Sequence, residues 1–552
     1  MALRSIVVVP ARDEQDQIAG CLSALAAQTV PPEEFEVILV VDACTDRTAE
    51  VAQRTARERS VRLSLIDGPG QGAGPARRAG MDLAAERLLA HGREDGLVAC
   101  TDADSRPAPD WLARQLVHID AGADAVAGLI ELDPDESQRL APEVLRRRRR
   151  DATQRLELVR QTDPGAAHHH FAGASIGVTA GVYRAVGGVE PVAALEDAAF
   201  AQRLADAGIL VLRADDVRVR TSARADGRAT RGLSVDLAVS SWASGRRYVA
   251  GSFPPGLLRR HKGAMSVDVV IPTKECAETL GGVLTGTVRP LREAGLVDDV
   301  LVVDAGSVDG TAEVGRAAGA RVIDEDQVLS EYGPALGKGD AMWRALHVTS
   351  GDIVCFLDGD TANPDPNHLQ GLIGPLLTDA SLQLVKGAFD RPLRAGGVDL
   401  PNEGGRVTEL MARPLLNLHE PRLAGFAQPL AGEFAGRREL FESIPFPVGY
   451  GVEIAVLIDA LRRHGLDALG ECHLGERRNR HQPLRALGEM AYAVLSAVER
   501  RAGGNRSAIG GHYLRPWDDL AAINVAMAER PPLATLGSGG AASTPLLSRS
   551  RG

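Results

Sequence analysis

Two stretches, LVACTDADSRPAPDW at residues 97–111 and CFLDGDTANPDP at residues 355–366, each end an apolar run with two aspartates one residue apart. Leu97 to Cys100 precede Asp102 and Asp104; Val354 to Leu357 precede Asp358 and Asp360. Short apolar runs of this kind read as buried strands, so the carboxylates that follow are delivered together into a cleft at the strand end. Such a pair suits a hard divalent cation, Mg2+ or Mn2+, which takes oxygen ligands from protein, water and phosphate. Bridging a diphosphate, the ion would neutralise the charge that builds as that group departs, a Lewis-acid role. D-x-D alone is also an ordinary Asx turn. Its weight here comes from the repetition and from the elements around it.

Those elements also occur twice. SIVVVPARDEQDQIAGCLSAL (5–25) and DVVIPTKECAETLGGVL (268–284) each read as a β-rich run ending in proline (Pro10, Pro272), a polar turn and a helix. FEVILVVDACTDRTAEVAQRTA and VDDVLVVDAGSVDGTAEVGRAAG each give a buried strand ending in aspartate (Asp42, Asp304), then a turn and a helix. The polar loops GQGAGPARRAG and GPALGKGDAMWRAL lead into a helix and then the strand with the paired aspartates. Apolar strands alternating with amphipathic helices predict an α/β fold with a mostly parallel sheet covered on both faces. Ligands of such sheets bind at the carboxyl ends of the strands, where these acids fall. The repeat predicts two tandem domains, 1–262 and 266–536, joined through the Gly-, Pro- and Arg-rich RRYVAGSFPPGLLRRHKGAMS, with Met265 resembling a former start. Residues 537–552 lack periodicity and are expected to be disordered.

Bulk properties narrow the classes. A chain of 552 residues exceeds the size at which one core usually divides. With 44% apolar and 24% charged residues it reads as globular, and no apolar run approaches the ~18 residues of a membrane span. The N-terminal apolar stretch is too short for a signal peptide, so a cytoplasmic location is expected. A net charge of −11 argues against nucleic acid as the partner. The run Arg146–Arg150 reads as the solvated face of a helix rather than a lipid or polyanion patch. Six scattered cysteines without a CxxC pair indicate a reduced protein. Adjacent His168, His169 and His170 cannot all face one ion, which points to a surface or pocket-lining role.

The order of elements in the first hundred residues of each copy resembles the GT-A fold of nucleotide-sugar glycosyltransferases, which is Rossmann-like. Over 266–536, GKGDAMWRAL, TSGDIVCFLDGDTANPDP, GPLLTDASLQLVKGAFDRPL, EGGRVTELMARPLL, QPLAGEF, GYGVEIAVLID and WDDLAAINVAMAERPPLATL resemble the glucosyl-3-phosphoglycerate synthase family of retaining enzymes. The resemblance implies a donor site of Pro272, Thr273, Glu275, Asp304, Lys338, Asp358, Gly359, Asp360 and Tyr450, with Asp360 on the metal. It implies that Leu430 positions the anomeric carbon and that Glu453 holds sugar hydroxyls. It places 3-phosphoglycerate on Gly405, Arg406, Val407 and Thr408. Independently, GGRVT offers backbone N–H groups, a guanidinium and a hydroxyl, which a small phosphorylated carboxylate needs. Three departures touch the donor site. Where the family has Pro-Ala-Leu-Asn-Glu this chain has PTKEC, leaving Cys276 at the glutamate position unless Glu275 substitutes. The serine after the strand aspartate is Ala305. The family's metal histidine falls on Asn479, with His481 two residues on as a replacement ligand.

In the first half, PARDE keeps an Asp13–Glu14 pair and ALEDAAFAQRLADAG a Glu-Asp start of a helix, resembling family-2 inverting glycosyltransferases. An inverting transfer needs a carboxylate to take the acceptor's proton; Asp197 is the candidate, with Glu196 beside it. The alternative is an acidic helix start stabilised by the helix dipole. Pro10, Glu14, Asp42 and Asp102 would surround a donor and Asp104 a metal. The expectation is therefore a tandem glycosyltransferase. Its second half would transfer glucose from UDP- or GDP-glucose to the 2-hydroxyl of 3-phosphoglycerate, and its first half would act on an unknown acceptor. Rival readings are a mannosyl-3-phosphoglycerate synthase using GDP-mannose, or one half as a non-catalytic sugar-nucleotide module. No nucleic acid and no membrane span are expected, and a homodimer is left open.

Overall fold

Strand β1, Ser5–Ala11, is buried along its whole length, and its alternate residues feed two separate cores. Val7 and Val9 join helices Ile18–Ala26, Thr48–Arg59 and Trp111–Asp120, while Ile6 and Val8 join helices Ala73–Ala90, Ala180–Ala185 and Glu196–Asp206. Strand side chains alternate between faces, so a strand apolar at nearly every position fits only a sheet covered on both sides. This is a computed structural model that describes residues 3–192, 194–227, 230–395, 398–400, 404–478, 483–503, 511–515, 517–518 and 520–536. The expected tail, 537–552, lies outside them.

The chain divides into two compact units, residues 1–241 and 242–552. In the first, β1 is followed by β2 (Phe35–Val41), β3 (Leu63–Asp67), β4 (Leu97–Cys100), β5 (Ser105–Pro107), β6 (Ala125–Leu132), β7 (Ile176–Thr179) and β8 (Val211–Thr221). They form one sheet in the order β3-β2-β1-β4-β7-β6-β8-β5. The second unit contains β9 (Arg247–Val249), β10 (Val267–Thr273), β11 (Asp299–Asp304), β12 (Arg321–Asp324), β13 (Ile353–Phe356) and β14 (Leu384–Asp390). A hairpin of β15 (Leu393–Ala395) and β16 (Val398–Leu400), then β17 (Phe434–Arg437), β18 (Phe446–Pro447) and β19 (Leu469–Glu476), follow. The sheet order is β12-β11-β10-β13-β17-β14-β19-β9, the same plan with a different last strand. Each sheet is mostly parallel, with β7 and β17 running against both neighbours.

The domain boundary expected at 262–266 differs from the division at 241/242. The segment between belongs with the second sheet. Arg247–Val249 pairs with Glu471–His473 of β19, and Trp242, 1% exposed, donates its indole N–H to the Leu469 carbonyl at 2.7 Å. A linker-like composition therefore hid an edge strand of three residues.

In both sheets strand order reverses beside the first strand, between β1 and β4 and between β10 and β13. The paired aspartates leave β4 and β13 at that switch point, where a crevice opens at the strand ends. After the second pair, Asp365 caps helix Pro366–Thr378 by accepting from the Asn367 N–H at 2.8 Å. Among the described residues no helix is long and apolar enough to cross a membrane. All six cysteines are free. Arg146–Arg150 lie on helix Pro142–Arg160, of which only Val144 is buried. Two of the three histidines bond to different strands: the His168 ring to the Ala214 carbonyl at 3.2 Å and His170 Nδ1 to the Ile130 N–H at 3.3 Å, while the His169 ring packs on that of His170.

Helix Lys338–Val348 is pinned by a buried charge cluster. Asp340 accepts from Arg530 at 2.9 and 2.5 Å and from Arg344 at 3.2 Å, and both Asp340 and Arg344 are fully buried. Trp343 adds an indole bond to the Pro531 carbonyl at 2.8 Å. Asp340→Ala would leave two buried guanidinium groups without their carboxylate, a loss of about 3–5 kcal/mol. Hydrogen exchange of the Lys338–Val348 amides is expected to accelerate accordingly, with β1 amides unchanged as the internal control.

Candidate active site

In the second unit, Gly337 (φ 139°) turns the chain into helix Lys338–Val348. Gly339 then lets that helix start lie against the loop before helix Val452–His464, since a Cβ there would sit 1.9 Å from the Pro447 carbonyl. Lys338 is thereby aimed inward, with Nζ 2.8 Å from Asp358 and 3.0 Å from Glu453. Asp358 follows β13, and Glu453 occupies the first turn of its helix, where the dipole favours an acid. Burial opposes the charge on Lys338, but Asp358 and Glu453 hold its pKa well above the usual lysine range. Burial likewise opposes ionisation of Asp358, which Lys338, Arg477 and Arg391 nevertheless hold below the usual range. Asp360 moves the other way, pushed up by burial and by Asp358 beside it.

The floor of this cradle is Gly432. A Cβ there would lie 2.3 Å from Lys338 Nζ and 2.4 Å from an Asp358 oxygen. The roof is the Pro272–Thr273 turn, against which Gly359 packs so closely that a Cβ would meet Thr273 at 2.9 Å. Asp304, ending β11, accepts from the Ser307 N–H at 3.0 Å and hydroxyl at 2.6 Å. Ser307 thus supplies the hydroxyl missing at Ala305. Pro272, Thr273, Asp304, Lys338, Asp358, Gly359, Asp360 and Glu453 therefore gather around one crevice. Leu430 is half-buried on the loop ahead of β17, whose Ala427 and Gln428 N–H groups are held by buried Glu471 at 2.7 and 3.2 Å. Tyr450 stands 48% exposed on the turn before helix Val452–His464.

The two units resolve the Glu275 question. In the first, Asp13 is left-handed (φ 51°) and accepts from the Thr45 N–H, while the Glu14 N–H donates to Thr48 Oγ1 at 2.7 Å. In the second, Glu275 is left-handed (φ 52°) and accepts from the Val308 N–H, while the Cys276 N–H donates to Thr311 Oγ1 at 2.8 Å. Glu275 is the counterpart of Asp13, so the position of Glu14 falls to Cys276.

The expected acceptor residues form a continuous turn. Gly404 donates to the Arg391 carbonyl at 2.9 Å, Gly405 is left-handed (φ 74°), Arg406 is half-buried, and Val407 and Thr408 are buried. From Thr408 to Ala412 the chain widens into a π-turn, a distortion common at functional sites. Asn479 and His481 lie outside the described residues. Sequence reasoning assigned no role to Arg391, Arg477, Glu433, Lys386 or Gly432. Arg477 pairs with Glu433 and Thr361, all buried, and among the described residues Glu433 Oε2 and Arg477 Nε have no hydrogen-bond partner. Lys386, buried on β14, donates to the Ala431 carbonyl at 2.5 Å, and burial brings its pKa down to about 7. Gly432 and Arg391 were visible only as letters inside QPLAGEF and GAFDRPL.

The first unit builds its crevice with other cations. Ala73 takes the place of Lys338, and Gly74 packs on the Val192 carbonyl as Gly339 packs on Pro447. One turn later, buried Arg77 donates to Asp102 at 2.9 Å and to Glu196 at 3.0 Å. Asp197 is half-buried and accepts from the Ala198 N–H at 2.8 Å; burial and the charge of Glu196 raise its pKa. Pro10 is buried in β1, and Asp42 is held by the Gly70 and Gly72 N–H groups at 2.6 and 3.0 Å. Asp104, pushed up to about 7 by burial and by Asp102, accepts from Arg224 at 3.0 Å. Arg224 also grips Glu14 through both terminal nitrogens, at 2.9 and 2.5 Å, on the wall of a cleft of about 390 Å³.

The profile of glycosyl transferase family 2 matches residues 6–179 and again 268–428. A glucosyl-3-phosphoglycerate synthase of Mycolicibacterium smegmatis is 42% identical over 298 residues, 53% of this chain and 98% of that protein. A crystal structure of mannosyl-3-phosphoglycerate synthase from Rubrobacter xylanophilus is 45% identical, covering 53% of this chain and 97% of that one, with a TM-score of 0.49. The glucosyl-3-phosphoglycerate synthase of Mycobacterium tuberculosis, solved with Mn2+, uridine-diphosphate-glucose and phosphoglyceric acid, is 40% identical, covers 51% of this chain and 95% of that one, and gives 0.47.

Gly432→Ala tests the cradle. A methyl group inside it must displace Lys338 or Asp358, and a shift of about 1 Å in a reacting constellation can lower turnover roughly 10²-fold. A loss of that order in the second unit's kcat/KM is expected, with unchanged far-UV circular dichroism.

Proposed function

Since the chain belongs to glycosyl transferase family 2 and is a glycosyltransferase, we propose that each of its units performs a different transfer. The second moves glucose from a nucleoside-diphosphate glucose to the 2-hydroxyl of 3-phosphoglycerate. The first performs an inverting transfer to another acceptor. The 298-residue alignment to the M. smegmatis synthase is longer than the first unit, which supports assigning that likeness to the second.

The observation that carries the reading is the state of the carboxylate at the helix start. Glu453 and Asp197 are counterparts, each one residue past the side chain that packs on Gly339 or Gly74. Glu453 is tied to Lys338 and cannot accept a proton without breaking that pair. Arg77 instead bonds Glu196, and burial with the charge of Glu196 raises the pKa of Asp197, the direction that suits a general base. One unit therefore lacks the base of an inverting reaction at this position, and the other retains it. Retention in the second unit fits a front-face departure in which the leaving phosphate assists.

The donor oxygens of Asp358 and Asp360 suit Mg2+ or Mn2+, hard cations that take carboxylate ligands and would favour the ionised form that burial and Asp358 oppose at Asp360. When bound, the ion would supply Lewis-acid charge to the departing diphosphate. Lys338 holds Asp358 ionised, Leu430 lines the sugar, and Glu471 fixes the loop that carries it. Arg406, Thr408 and the Gly404–Gly405 backbone face the phosphate and carboxylate of the acceptor, with Arg391 adding positive charge between the two substrates. Cys276 at the place of Glu14 alters the nucleotide side of the crevice and keeps GDP-mannose as the second reading.

Incubating the full-length protein with 3-phosphoglycerate and UDP-glucose, GDP-glucose or GDP-mannose, with mass spectrometry of the products, decides between them. A hexosyl-phosphoglycerate from the glucose donors is expected; product from GDP-mannose alone would overturn the glucose assignment. Arg406→Lys keeps the charge but loses the planar fork. It is expected to raise KM for 3-phosphoglycerate by roughly one to two decades, from about 1.5–3 kcal/mol of charge-assisted bonding, with the donor KM little changed. An unchanged acceptor KM would remove Arg406 from the phosphate site.

A further inference from the structure

The first unit's D-x-D pair does not fit a divalent metal, and the reason is visible in its side chains. Asp102 is bound by Arg77 at 2.9 Å, as Asp358 is by Lys338 in the second unit, so the difference lies at Asp104, which Arg224 holds at 3.0 Å. The Arg224 fork spans two carboxylates, closing on both oxygens of Glu14 while one of its nitrogens also reaches Asp104. All three side chains are mostly shielded from solvent, with exposures of 24% for Arg224, 10% for Glu14 and 21% for Asp104. Charge-assisted, bidentate bonds in such surroundings are strong and directional. An ion seeking Asp104 would have to evict the guanidinium from both acids.

Strand register adds an independent observation. β8 ends at Thr221 opposite Leu132 of β6, and β19 ends at Glu476 opposite Asp390 of β14. Matched through β7 and β17, Glu131 is the counterpart of Asp390, so Arg220 answers to Glu476 and Arg224 falls one residue past the place of Asn479, on the same stretch of chain. That stretch is where the resemblance expects a metal ligand. The first unit has a fixed cation there in place of a ligand for one.

We propose that Arg224 is the resident cation of the first unit. It stands where the second unit is read to take a divalent ion, and it presents a permanent guanidinium charge to whatever diphosphate that crevice accepts. The contrast rests on the D-x-D reading of the second unit given above, but the exclusion of metal from the first does not. Arginine charge cannot be removed by a chelator, so a diphosphate held by Arg224 is held there without regard to a divalent ion on the D-x-D pair.

The test counts Mn2+ ions by electron paramagnetic resonance on the full-length protein. Asp360→Asn, which disables the second unit's pair, is expected to leave no Mn2+ bound at concentrations up to about 1 mM. Adding Arg224→Met should create one site, tighter by at least about tenfold, that a further Asp104→Asn removes. Arg224→Lys, which keeps a charge and guards against a folding defect, should still exclude the ion. An Mn2+ retained by Asp360→Asn and lost on Asp104→Asn would overturn the proposal, as would a folded Arg224→Met protein that gains no ion. Wild-type protein that binds no Mn2+ would instead count against the metal in the second unit, leaving Arg224 as assigned.

Discussion

In each unit a single cation ties the first aspartate of the D-x-D pair to an acid at the start of a later helix. Lys338 joins Asp358 to Glu453, and Arg77 joins Asp102 to Glu196. A carboxylate drawn away from water is costly unless a cation meets it, and two acids converging on one crevice would otherwise repel. The tie therefore makes the crevice possible. It also joins elements far apart in sequence: a strand end, a loop-to-helix turn and the start of a second helix. The backbone around it is shaped to suit. Gly337 and Gly339 bring Lys338 to the point where both acids can be reached, and Gly432 leaves room for its ammonium group.

The same tie distinguishes the two charge arrangements. Placing the cation at the first helical position lets it reach Glu453, while placing it a turn later, on Arg77, directs it to Glu196, the neighbour of Asp197. A shift of one helical turn thus decides which acid of the helix start is paired. Arg224 carries the divergence further, because its guanidinium bridges Glu14 and Asp104, whereas the second unit has Cys276 at the place of Glu14. Two sheets that share seven of their eight strand positions support two different charge patterns, as expected where function resides in side chains placed on a shared scaffold.

Packing is what allows the duplicate sheets to tolerate such changes. β1 distributes its side chains into two cores, and β10 does so around Val267, Val269 and Ile271 on one face. The strand interiors are mostly apolar in both units, with Lys386 on β14 and Glu471 on β19 as buried charged exceptions, and much of the variation lies at the strand ends and the turns after them. Cys276 for Glu14 and Ser307 for the hydroxyl missing at Ala305 are of that kind, each altering a contact at the crevice rim, with Cys276 also packing on the edge of the core.

The sequence alone determined the fold class, the duplication and the strand ends that carry Asp42, Asp102, Asp104, Asp304, Asp358 and Asp360. Those follow from local properties, namely runs of buried apolar residues, their alternation with amphipathic helices and the acids that end them. Resemblance to known families also pointed to Lys338, in a glycine-flanked loop, and to Glu453, and the Glu-Asp motif opening a helix pointed to Asp197. The edge strand Arg247–Val249 was hidden by its linker-like composition, since three residues carry no period and only pairing with β19 makes them a strand. Arg77, Arg224, Arg391, Gly432 and the Glu433–Arg477 pair were equally invisible. An arginine in a polar stretch looks solvated until folding brings acids from distant segments around it, as Arg224 meets Glu14 and Asp104. The tertiary structure decided which carboxylates are paired and which are left to act, because Coulomb energy at these ranges depends on separations of a few ångströms that no local pattern encodes.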